Sequence, residues 1–89
     1  SSVNSQHAKA EAADFEVIGV DNAEVADWIY ANIRTDQLIL EFYTPGEPNS
    51  GWIHASYIEF NPRAQYLRAY REDKKTKYKP ILGKAVDLV

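Results

Sequence analysis

Apolar and polar positions alternate along some stretches of this chain and recur at helical spacing along others. That contrast lays out its elements. Residues 12–20, Ala-Ala-Asp-Phe-Glu-Val-Ile-Gly-Val, alternate well enough to predict a strand. On it Ala13, Phe15 and Val17 share one face, and Ala12, Asp14 and Glu16 share the other. The alanine-rich residues 8–13 also have helical propensity. A turn over residues 19–22 leads into a predicted helix at 23–33. Asp21 or Asn22 is its cap, Glu24 lies in its first turn, and Val25, Trp28, Ile29 and Ile33 form a core-facing stripe. Residues 37–43, Gln-Leu-Ile-Leu-Glu-Phe-Tyr, predict the clearest strand, with Glu41 interrupting its apolar run. After the Pro- and Gly-containing loop at 44–50, residues 51–60 predict its antiparallel partner. There Trp52, His54 and Ser56 share one face, and Ile53, Ala55 and Tyr57 the other. Residues 63–73 predict a second helix behind Pro62, with Tyr66, Leu67 and Tyr70 at core spacing. Residues 74–79 read as a basic flexible segment, and 78–89 as a final short strand or tail. The expectation is an α+β fold in which a small antiparallel sheet with flanking helices surrounds a single zinc site.

Composition narrows the chemistry. Eighty-nine residues predict one domain. A domain this small buries only about 60–65% of its unfolded surface, so a bound metal would add useful stability. There is no cysteine, which excludes disulfides and thiolate zinc sites. Zinc would have to be held by imidazole and carboxylate, a donor set better suited to catalysis than to structure. The net charge of −3 argues against a nucleic-acid binder. No apolar run approaches the ~20 residues of a membrane span, so no membrane partner is expected. The positive charges are uneven: only Lys9 and Arg34 precede residue 63, and the other eight fall between Arg63 and Lys84. A solvated face explains that segment, and so does a patch for an anionic polymer such as a wall glycan or nucleic acid.

The chain has two histidines, His7 and His54. With Asp14 they form the one plausible triad of nitrogen and oxygen ligands that uses both, and three such ligands leave a zinc position open for chemistry. Glu41, on the strand predicted to pair with the His54 strand, is the obvious general base. The spacing by itself equally allows surface histidines and an edge-strand charge that blocks aggregation.

The motifs add a resemblance. Ser5-x-His7-x-x-Ala10-x-Ala12-Ala13-Asp14 resembles the Ser-x-His-x-x-Gly-x-Ala-x-Asp signature of zinc D-alanyl-D-alanine carboxypeptidases and L-alanyl-D-glutamate endopeptidases. Gly51-Trp52-Ile53-His54-Ala55-Ser56 resembles their second metal motif, Trp-x-His-x-Ser. Residues 36–42 are similar to the strand that carries the catalytic Glu in the related Hedgehog signalling domain. The resemblance spans residues 5 to about 60 and implies a peptidase-like domain of phage and bacterial cell-wall enzymes, lacking an N-terminal portion of the family fold. It implies His7, Asp14 and His54 as zinc ligands and Glu41 as general base. Ser5 and Trp52 would act toward substrate, and the substrate would be a peptidoglycan stem peptide. The family has Gly where this chain has Ala10, and many members place the acid three residues before the last His, where this chain has Gly51. Glu47 is therefore a second candidate base. A zinc-binding recognition module without catalysis is the alternative, and a metal-free interaction domain is a third.

Overall fold

The structure, a computed structural model, describes residues 10–88. In chain order it has β1 (Ala10–Phe15), α1 (Asn22–Asn32), β2 (Gln37–Glu41), β3 (Trp52–Ile58), β4 (Gln65–Glu72), β5 (Lys75–Pro80) and a 3-10 turn at Ala85–Asp87. The strands form one sheet in the order β1-β3-β2-β4-β5. β3 runs antiparallel to both β1 and β2, and β4 and β5 form an antiparallel hairpin. β2 and β4, however, are parallel. The fold is α+β as expected, but the sheet is mixed rather than antiparallel, and a single α-helix flanks it among the described residues.

Two expectations fail in the second half. In place of the helix expected at 63–73 the chain forms strand β4 (Gln65–Glu72), and residues 74–79 are not flexible but form part of the turn and the strand that pairs with it. Tyr66 and Ala69 are buried, while Leu67 and Tyr70 are only half-buried. The hairpin closes over Asp73 and Lys74, both at positive φ (52° and 64°), with Glu72 opposite Lys75. A two-residue turn with both φ values positive matches the twist of the flanking strands. It usually advertises itself by Asn-Gly or Asp-Gly, and here it does not.

Helix α1 starts where the Asp21 carboxylate accepts the Ala23 amide hydrogen at 2.9 Å, and Tyr43 Oη donates to the same oxygen at 2.9 Å. Burial, then Asp21 beside it, pushes the Tyr43 hydroxyl up to about 12. The face that α1 buries is Asn22, Ala23, Ala26 and Ile29. Trp28 and Ile33 of the expected stripe are 61% and 48% exposed. Small residues let the helix lie close on the sheet, and the larger ones are left on its outer side.

The core joins Ala23, Ala26 and Ile29 to Leu38, Leu40, Ile53 and Tyr66 on one sheet face, closed by Ile81 and Ala85. The Asp27 carboxylate holds that closure. It accepts from Tyr66 Oη at 2.6 Å and from the amides of Ala85 and Val86 at 2.7 and 3.1 Å. At the other end of the sheet, Arg63 donates through its backbone and side chain to Asp36, the shortest bond being 2.6 Å. That side-chain bond is the main reason the Asp36 carboxyl lies at about 2 rather than 3.8.

Alternation puts Ile39, Glu41, Trp52 and His54 on the opposite face, with Asp14 beside His54. No helix among the described residues lies on that face, and the candidate site is there.

Candidate metal centre

Strand register builds the site. Asp14 and His54 are directly paired residues of β1 and β3, 40 positions apart in sequence. Their side chains meet with His54 Nδ1 2.7 Å from Asp14 Oδ1. Glu41 ends β2 opposite Trp52, the residue two before His54 and on the same face. One ligand atom from each of Asp14, Glu41 and His54 lies within 4.8 Å of the other two. A tetrahedral zinc with bonds of about 2.1 Å sets its ligand atoms about 3.4 Å apart, so small side-chain rotations separate this group from a binding geometry. One imidazole and two carboxylates also have the donor chemistry zinc accepts. His7 and Ser5 lie outside the described residues.

Glu41 is held in place. Trp52 Nε1 donates to Glu41 Oε2 at 3.1 Å, and Oε1 has no hydrogen-bond partner among the described residues. Trp52 is therefore part of this face rather than of the core, and it is 37% exposed. Its ring tilts against Phe42 with centroids 5.4 Å apart, and the Arg71 guanidinium sits 5.8 Å from the Phe42 centroid. Phe42 has φ 56°, an unusual conformation for a bulky residue, directly after Glu41. Strained residues of this kind cluster at functional sites. A groove of about 360 Å³ opens beside the cluster, lined by Asp14, Phe15, Glu16 and Trp52. A larger hollow, about 470 Å³, lies between the end of α1 and Ala64, where β2 begins rather than ends, and none of the three clustered residues lines it.

Gly51 explains why the acid comes from β2. It has φ 66°, and a Cβ there would overlap the Glu41 carbonyl oxygen and lie 2.8 Å from the Phe42 carbonyl carbon. No side chain fits three residues before His54, and the neighbouring strand supplies the carboxylate instead. Glu47, exposed in the loop, is not part of the cluster. Phe42, Arg71 and the backbone constraint at Gly51 were not anticipated as site features. Arg71 was hidden by the helix expected at 63–73, while Gly51 was already conspicuous as a departure from the resembled motif.

No protein-family model, curated protein or solved structure matches this chain.

Proposed function

We propose that this domain is a zinc-dependent peptide hydrolase acting on the stem peptides of peptidoglycan, with His7, Asp14 and His54 as ligands and Glu41 as general base. The observation that carries the reading is the convergence of Asp14, Glu41 and His54 from three strands onto one open sheet face. The substrate class comes from the motif resemblance of residues 5–56.

Zinc, when bound, supplies the positive charge that polarises a substrate carbonyl and acidifies water. The Asp14–His54 hydrogen bond holds the two side chains together, and a metal would replace it, drawing on an oxygen of Asp14 and a ring nitrogen of His54. Glu41 takes the proton of the attacking water at Oε1 while Trp52 holds Oε2. As the new C–O bond forms and the C–N bond breaks, Glu41 returns that proton to the departing amine. The Asp14–Trp52 groove receives the chain on one side of the scissile bond.

The test compares zinc content and hydrolysis of purified wall peptides in His7→Ala and Glu41→Gln. The reading expects His7→Ala to lose zinc, and Glu41→Gln to keep zinc but lose at least about 100-fold in rate. Loss of zinc in Glu41→Gln together with full retention in His7→Ala would make Glu41 a ligand and sink the assignment. A parent protein that binds zinc without hydrolysing any stem peptide would leave a recognition module.

A further inference from the structure

We infer that the β4–β5 hairpin is a docking strip for a linear polyol-phosphate polymer, on the sheet face turned away from the Asp14–His54 pair. The wall context of that polymer rests on the proposed function; the chemistry of the strip does not.

Charge is strongly segregated in this chain. Residues 63–84 hold eight of its ten Lys and Arg against only Glu72 and Asp73, a local excess of six positive charges. The remaining residues hold two cations and eleven acids. Register turns that excess into a pattern. Arg68 pairs with Lys79, Tyr70 with Lys77 and Glu72 with Lys75, so Arg68, Lys75, Lys77 and Lys79 share one face. Alternate residues of a strand lie about 6.8 Å apart, which makes the three lysines a regular row about 14 Å long. Lys77 is bonded to Glu72 at 2.7 Å. Arg68 and Lys79 face each other directly and make no ion pair among the described residues. Like charges directly opposite destabilise a strand pair. A phosphate held between them would relieve that repulsion.

Three features select the occupant. The row is one strand wide, which suits a single extended chain. Lysine ammoniums are point charges that attract phosphates without reading shape. The acidic remainder of the domain repels any broad anionic surface, such as a duplex or a charged bilayer. The alternation that places Arg68 and Lys79 on this side places Ala69 and Tyr78 on the other, and Ala69 is the partner of Glu41. A polymer on the strip therefore leaves the metal face open. Lysines on an edge strand also guard against aggregation, but that role does not call for an arginine directly opposite one of them.

The experiment titrates the full chain, with and without added zinc, with soluble poly(glycerol phosphate) across salt concentrations. Four contacts on a single-stranded polyanion give a log–log salt slope of about −3, so raising salt from about 50 to about 200 mM weakens binding about 50-fold. The triple variant Lys75→Gln, Lys77→Gln, Lys79→Gln is expected to bind at least tenfold more weakly at low salt, with a slope near about −0.7 and an unchanged thermal midpoint and zinc content. His54→Ala is expected to bind polymer as the parent does, whether or not the parent hydrolyses wall peptides, so failure of the hydrolase reading is distinguishable from failure of this one. Absence of polymer binding at low salt, parent-like binding by the triple variant, or loss of polymer binding in His54→Ala overturns the inference. So does tighter binding to a single-stranded oligonucleotide or to phosphatidylglycerol vesicles than to the polymer.

Discussion

Gly51→Ala is the sharpest probe of how the site is supported. The substitution adds one methyl group at φ 66°, where it overlaps the Glu41 carbonyl oxygen and comes within 2.8 Å of both the Phe42 carbonyl carbon and the Tyr43 nitrogen. All three are backbone atoms, so no side chain can swing aside. The positive φ costs about 1 kcal/mol for alanine. Forcing a methyl group into packed surroundings adds about 1–3 kcal/mol. The expected loss is about 2–4 kcal/mol, against a total of about 4–13 kcal/mol for a chain this long. With a urea dependence of about 1.2 kcal/mol per M, the unfolding midpoint should fall by about 2 M or more. Gly46→Ala is the control. Its φ is 91°, but a Cβ there meets nothing within 4 Å, so it loses only the conformational part. Because the atom displaced is the carbonyl of Glu41 itself, hydrolysis should fall more than stability does, by about 100-fold under conditions where the variant stays folded. A Gly51→Ala midpoint equal to that of Gly46→Ala, with parent-like hydrolysis, would refute the reasoning.

Other substitutions test other parts of the structure. Asp27→Ala removes the acceptor of the Tyr66 hydroxyl and of two amides of the 3-10 turn, and should cost about 2–4 kcal/mol by urea unfolding. Adding Tyr66→Phe should cost less than the sum of the two single changes, since both remove one bond. Asp36 is held at about 2, below its ordinary 3.8, so its contribution is complete above about pH 4 and disappears as pH falls toward 2. The stability difference between parent and Asp36→Asn should therefore shrink across that window, and a constant difference would exclude the linkage. Trp52→Phe keeps an aromatic ring beside Phe42 but removes the N–H that holds Glu41, so kcat should drop about tenfold with little change in KM.

The parts of the fold that were legible from sequence are those governed by local pattern. The β2–β3 pairing follows from two apolar strands joined by a short loop, and the phase that groups Trp52 with His54 follows from strict alternation. Asp14 was likewise placed on the face opposite Phe15. What was not legible depends on neighbours distant in sequence. Tyr66, Leu67 and Tyr70 fit a helix by spacing, and only the parallel pairing with β2 makes them a strand. The spacing of large apolar residues points to Trp28 and Ile33 on the buried face of α1, but small residues decide the packing. Ala23 and Ala26 lead it instead, and the aromatic Trp28 stays outside. Within the site, the roles proposed for Asp14, His54 and Glu41 rest on residue types and register. The demand for glycine at 51 is a clash between two backbones that no single-strand pattern records.

Among the described residues, β1 stands at the edge of the sheet and pairs only with β3, yet it contributes Asp14. A metal held by Asp14 and His54 is therefore also a cross-link across a 40-residue span. Closing a loop of that length costs the unfolded chain about 3 kcal/mol of entropy. Metal loading should thus slow amide hydrogen exchange most in β1 and its β3 partners, and little in the distant β4–β5 hairpin. The cation would act as a latch on that edge, so supply and removal of zinc would bear on the integrity of the sheet as well as on its chemistry.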